Sequence, residues 1–195
     1  MNADNLRPVL LYISAAADLM AEREALARMI ARLPVTLAWQ VGQTPLGEER
    51  FAPELSAAAE LHILVLGGDI RAPVGLELYT VREAGRPTVA FLKRGVARTI
   101  AGDIFIKESR LAWQPFAGAA DLSRRVQQTI AAHLLRHALR FTLSPVEVEA
   151  LQALLTNDSP AEPPATTGAE AGHSAVILSR ERYTPSQGVI LDDSA

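Results

Sequence analysis

"LHILVLGGDIRAPVGLELYTVREAGRPTVAFLK", residues 61–93, decides the fold. Residues 61–68, "LHILVLGG", form an almost unbroken apolar run that ends in two glycines and Asp69. That pattern fits a strand buried on both faces, as in a parallel sheet. Residues 74–84 then place Val74, Leu78 and Val81 at helical spacing, with Glu77 at the edge of their stripe. Gly85-Arg86-Pro87 breaks the helix, and "PTVAFLK" (87–93) reads as the next strand. Strand, helix and strand in succession predict two parallel strands joined by a right-handed crossover.

The same alternation extends in both directions. Upstream, "PVLLYIS" (8–14) predicts a first buried strand. A helix over 18–33 follows, with Leu19, Leu26, Ile30 and Leu33 on one side. Glu22, Arg23, Arg28 and Arg32 are expected away from that side, and Glu24 is placed to pair with Arg28 one turn on. Pro34 stops the helix. "VTLAWQV" (35–41) predicts a second strand stopped at Gly42, and residues 48–60 a weaker helix interrupted by Pro53. Downstream, "DIFIKE" (103–108) fits strand or helix, and "LAWQPF" (111–116) a short fifth strand. Asp121 is placed to cap a long helix reaching about Phe141, with Leu122, Val126, Ile130, Leu134 and Phe141 on its apolar side. "SPVE" (144–147) is a capping box with proline at the first helical position, opening a helix through Leu155.

Alternation of this kind implies an α/β fold: a doubly wound parallel five-stranded sheet, for which the flavodoxin-like order 2-1-3-4-5 is expected. The organisation expected is an α/β domain over 1–143, an appended helix over 144–155, a linker over 156–173 and a C-terminal segment over 174–195. The linker, "TNDSPAEPPATTGAEAGH", has almost no large apolar side chain. Beyond it, "AVIL" (175–178) and "GVIL" (188–191) fit either a β-hairpin arm or an unpaired tail.

Composition narrows the functional classes. The 195 residues are 49% apolar, enough for a real core, and the net charge of −3 gives no general pull toward nucleic acid. No cysteine is present, which excludes disulfides, thiolate catalysis and Cys-ligated zinc. The opening "MNADNLRP" lacks the build of a signal peptide, and no apolar run is long enough to span a membrane, so a cytoplasmic protein is expected. His133 and His137 stand one helical turn apart, but without a third ligand they read as packing or solvated histidines, and no metal or cofactor is expected. Arg124, Arg125, Arg136 and Arg140 read as a solvated basic side.

In open α/β sheets ligands bind at the carboxyl ends of the strands, where the strand order reverses. For order 2-1-3-4-5 that point lies between strands one and three. The loops there bring Ser14, Ala15 and Ala16 together with Gly67, Gly68 and Asp69, with Glu77 on the following helix. Small residues let a ligand approach the backbone, and Glu77 would be either a ligand-directed carboxylate or an ordinary acid near a positive helix end.

Here a resemblance enters. "LYISAAADLMAEREAL" (11–26) is similar to the opening of TIR-like domains of unknown function, and residues 61–93 resemble their third strand, loop and glutamate-bearing helix. Glu77-Leu78 followed by Gly85-Arg86-Pro87 also resembles the nucleoside deoxyribosyltransferase pattern. The likeness covers residues 8–93 and weakly reaches 142. It implies an N-glycosidic-bond site for NAD or nucleosides, with Glu77 as catalytic carboxylate and Asp69 beside it. Ser14, Ala15, Ala16, Asp18, Gly67 and Gly68 are the implied ligand-binding set. Three departures accompany it. Ser-Ser-Thr after strand one has become Ser14-Ala15-Ala16. The Ser and Trp that precede the glutamate in NAD-cleaving TIR domains are replaced within Ala72-Pro73-Val74-Gly75. The turn after strand three has become Gly67-Gly68-Asp69-Ile70-Arg71. The expectation is therefore a TIR-like signalling, interaction or nucleotide-sensing module without catalysis. It would act as a homo-oligomer through the C-terminal arm, or with a signalling protein partner. A glycosidase or transferase using Glu77 is the alternative.

Overall fold

The computed structural model describes residues 8–47 and 50–156. The expected linker and C-terminal arm lie outside the described residues, beyond Thr156.

Five parallel strands form one sheet in the order β2-β1-β3-β4-β5, the flavodoxin-like arrangement expected from the sequence. The strands are β1 (Val9–Ala15), β2 (Trp39–Gln43), β3 (Leu61–Leu66), β4 (Thr88–Lys93) and β5 (Trp113–Phe116). The helices are α1 (Met20–Ile30, entered through a 3-10 turn at Ala17–Leu19), α2 (Pro53–Ala57), α3 (Val74–Glu83), α4 (Ile100–Glu108), α5 (Ala119–Arg136) and α6 (Pro145–Thr156). Among the described residues no helix is long and apolar enough to cross a membrane.

β1 and β3 are buried along their whole length, which is why both read as unbroken apolar runs. Alternation along each strand divides the core in two. Val9, Leu11, Ile13 and Ala15 join Leu61, Ile63 and Val65 in one large cluster with the apolar sides of α1 and α5. The other face behaves differently. Its apolar residues fall into two small clusters, Leu64-Val74-Leu78-Ala90 and Leu10-Tyr12-Ala59. Between them sit buried polar groups: Ser14, His62 and Glu77.

Several boundaries differ from expectation for identifiable reasons. β2 begins at Trp39, not Val35, and runs through Gly42. Gly42 is not a stop; a Cβ there would lie 2.6 Å from the Tyr12 ring, so the strand passes over the aromatic only because this position has no side chain. α2 starts at Pro53, which occupies the first turn where no amide is needed. Residues 103–108 are helical, within an α4 capped by Thr99, whose hydroxyl accepts from the Gly102 amide at 3.1 Å. α5 ends at Arg136, and Phe141 reaches the core from the turns that follow. Its N-cap is Gly118; Asp121 instead accepts from the Ala117 amide at 3.0 Å and pairs with Arg124 and Arg125. The capping box forms as expected: Glu147 accepts from the Ser144 amide at 2.8 Å, and Ser144 Oγ accepts from the Glu147 amide at 3.3 Å. The other Glu147 oxygen takes the Thr36 amide and hydroxyl, tying α6 to the lead-in of β2.

One correction concerns α1. Glu24 and Arg28 pair on the surface as expected, at 3.6 Å. Glu22 and Arg23, however, are buried rather than turned away. Glu22 is neutralised by Lys93 at 2.7 Å, and Arg23 is turned over the carboxyl ends of β1 and β2.

Candidate functional site

The switch point between β1 and β3 gathers a hydrogen-bonded cluster centred on Glu77. The first turn of α3 aims this side chain inward, and none of it is exposed. Tyr12, on β1, donates its phenol to Glu77 Oε1 at 2.9 Å. Thr44, immediately after β2, donates its hydroxyl to Oε2 at 2.8 Å and accepts from the Ala15 amide at 3.0 Å. Ser14, bonded to His62 at 2.8 Å, lies beside the carboxylate and eases its ionisation. Two hydroxyls, one from β1 and one just after β2, therefore converge on one acid.

Arg23 completes the cluster from the opposite face of the sheet. It donates to the Ala15 carbonyl at 3.0 Å, the Thr44 carbonyl at 2.6 Å and Gln43 Oε1 at 3.2 Å. The guanidinium thus holds the last turns of β1 and β2 together while placing a positive charge near Glu77. Burial still dominates at Glu77. It raises the carboxyl pKa above the ordinary value, against the opposing hydroxyls of Ser14, Thr44 and Tyr12 and the Arg23 charge. Tyr12 is pushed well above the usual phenol range by burial and then by Glu77, so it remains a donor. His62 is fully buried behind Ser14, with Nε2 2.8 Å from Ser14 Oγ and Nδ1 3.1 Å from Thr88 Oγ1. Burial lowers its pKa to about 4 and keeps the imidazole neutral.

A cleft of about 400 Å³ opens beside this cluster. Ala16, Ala17, Thr44, Pro45, Arg71 and Pro73 are among the residues that line it. Its size and mixed lining suit a small molecule of nucleoside dimensions. Thr44 is the shared wall: it lines the cleft on one side and holds Glu77 on the other.

The expected site residues separate into three groups. Ala16 lines the cleft, and Ser14 and Glu77 belong to the buried cluster, with Ala15 bound into it through its backbone. Asp18, Gly67 and Gly68 close upon one another: Asp18 Oδ2 accepts from the Gly68 amide at 3.2 Å and fills the space over Gly67. Asp69 turns toward Thr99, whose hydroxyl donates to it at 2.5 Å, and toward Arg71 at 3.7 Å. Away from this region, the His133 and His137 rings lie 5.0 Å apart, and among the described residues no group of three or more metal-ligating side chains occurs.

Sequence reasoning missed Tyr12, Arg23, Thr44 and His62. A signal existed for Arg23: it stands four residues after Leu19 and three before Leu26, both buried, so helical geometry puts it on their side. Tyr12 and His62 carried a weaker one, as the polar-tipped residues of two otherwise aliphatic strands. Thr44 had none, because its position depends on where β2 ends. No protein-family model matches the chain, and no curated protein matches it in sequence.

Proposed function

We propose that the chain is a non-catalytic, TIR-like sensing module that takes a nucleotide or nucleoside into the cleft at its strand switch point. One observation carries this reading. Glu77 is wholly buried, with both oxygens held by side chains of its own chain. A carboxylate that stabilises or attacks a sugar carbon must touch it. Here Thr44 stands between the acid and the cleft, so Glu77 acts as an internal crosslink that sets the cleft wall.

The test pairs chemistry with binding. The protein is incubated with NAD and with a panel of nucleosides, beside Glu77→Gln, and base release is followed by chromatography. No turnover is expected from either protein, while titration calorimetry with the same compounds should show binding that Thr44→Val weakens. Base release by the wild type, lost in Glu77→Gln, would overturn the reading.

A second reading has its own support. The raised Glu77 pKa suits a general acid, and Thr44 is a single side chain whose rotation would join carboxylate and cleft. It makes the chain an N-glycosidase or transferase, and the turnover assay distinguishes the two.

A further inference from the structure

The cleft offers a ligand few side-chain polar groups. Among the described residues that line it, only Thr44 and Arg71 have polar side chains, and none is acidic. Thr44 has no proton to offer. Its hydroxyl donates to Glu77 Oε2 at 2.8 Å and accepts from the Ala15 amide at 3.0 Å. Arg71 is differently placed. Its side chain is 66% exposed, and its ionic neighbour among the described residues is Asp69, 3.7 Å from Nε. That separation is too long for a hydrogen bond, so the guanidinium keeps its donors for a ligand.

Asp69 is not a lining residue, but it is fixed beside Arg71. Its Oδ1 accepts from the Thr99 hydroxyl at 2.5 Å, which leaves Oδ2 facing the guanidinium. Thr99 is itself anchored. It caps α4 by accepting from the Gly102 amide at 3.1 Å, and its own amide donates to the Gly68 carbonyl at 2.9 Å. Asp69 is therefore a resident counter-ion: near enough to offset part of the Arg71 charge, too far to occupy its donors.

We infer that Arg71 makes the cleft selective for a nucleoside 5′-monophosphate over the bare nucleoside, and that Asp69 weakens this preference by competing for the same guanidinium. The inference rests on the reading of the cleft as a nucleotide or nucleoside site. Phe51, Pro45, Pro73 and Val74 give it an apolar lining that suits the faces of a base. Its volume of about 400 Å³ lies toward the small end of the roughly 300–1,000 Å³ usual for small-molecule sites, which suits one base, one sugar and one phosphate better than a dinucleotide. A guanidinium meets a phosphate with paired, charge-assisted N–H donors, and a sugar hydroxyl offers it neither the charge nor the second acceptor. Asp69 carries the same sign as the phosphate, so it opposes the anion without touching the base or the sugar.

Titration calorimetry on the full chain tests it, with adenosine, guanosine, cytidine and uridine, the 5′-monophosphate of each, and inorganic phosphate. The best-bound monophosphate should bind about tenfold more tightly than its nucleoside, the lower end of what a charged hydrogen bond contributes. Arg71→Gln should abolish that preference and leave nucleoside affinity unchanged. Asp69→Asn keeps an oxygen for Thr99 and loses the charge, so it should tighten monophosphate binding by up to about fivefold, with the nucleoside unaffected. Equal affinity of the wild type for nucleoside and monophosphate overturns the inference. So does a preference that survives Arg71→Gln, an Asp69→Asn that binds the monophosphate no more tightly, or inorganic phosphate that binds as well as the monophosphate. Each of these leaves the cleft reading standing, whereas binding of none of the nucleosides or monophosphates removes that reading and the inference with it. Should Arg71→Gln fail to fold, ionic strength decides on the wild type: salt screens an exposed pair, so a preference that salt does not reduce overturns the inference.

Discussion

Replacing Arg23 by methionine keeps most of the aliphatic stem and removes the guanidinium. The hydrogen bonds to the Ala15 carbonyl, the Thr44 carbonyl and Gln43 Oε1 vanish. Gln43 is half-exposed and can turn to water. The two backbone bonds are buried, and an acceptor left without a partner costs roughly 1–3 kcal/mol each. Glu77 also loses the positive charge that eases its ionisation. Breaking a buried ionic arrangement from one side costs about 3–5 kcal/mol. These two routes count overlapping atoms, so they do not add, and the expected loss is about 4 kcal/mol. For a domain of this size that lowers Tm by roughly 10 °C. Urea unfolding followed by circular dichroism measures the loss directly. Repeating it in a Glu77→Gln background isolates the electrostatic part. A neutral glutamine has less need of the guanidinium, so Arg23→Met should cost about 1–2 kcal/mol less there. A cost below about 1 kcal/mol, or strict additivity of the two substitutions, would refute the idea that Arg23 joins the strand ends to Glu77.

Other outcomes follow from the same geometry. Tyr12→Phe removes one donor to Glu77 and should lower stability by about 1–2 kcal/mol while raising the Glu77 midpoint; a lowered midpoint contradicts the assigned hydrogen bond. His62 is neutral in the fold to about pH 4 but titrates near 6.5 when unfolded, so its contribution is complete above pH 6.5 and is lost as pH falls toward 4. That slope amounts to at most about 3 kcal/mol, and it should be absent in His62→Gln measured by chemical denaturation across this range. Glu77 has the opposite sign: its raised folded pKa favours the fold below pH 4.5, and that advantage disappears as pH rises through the folded value, so Glu77→Gln should flatten the neutral side of the profile. If residues 174–195 assemble copies of the chain, deleting them should lower the mass measured by light scattering; an unchanged mass removes that proposal.

The strand order and the two-sided burial of β1 and β3 were legible because burial on both faces leaves an apolar run that little else produces. The inward aim of Glu77 was half legible, from its place beside Val74, Leu78 and Val81. Its partners were not. Hydroxyls such as those of Ser14 and Thr44 are common on loops and strand ends, and nothing in their spacing shows that both lie at one carboxylate. Arg23 was misread because charge outweighed position: an arginine on an amphipathic helix is normally solvated, and only the unpaired carbonyls of the strand ends draw this one inward. The start of β2 was misplaced for a related reason. Val35 and Leu37 are apolar because they pack against the main core from the segment leading into the strand, without belonging to the ladder.

The missing side chain at Gly42 makes two distant positions mutationally dependent. An alanine there meets the Tyr12 ring, and the simplest relief is a smaller residue at position 12. That change also deletes the phenol that holds Glu77. Variants selected for tolerance of a side chain at position 42 should therefore arrive with a substitution at position 12, and with a carboxylate that has lost a donor. A buried glycine on β2, opposite Tyr12 in the ladder, thus limits the chemistry available at the centre of the molecule, and a combinatorial library should vary positions 12, 42 and 77 together.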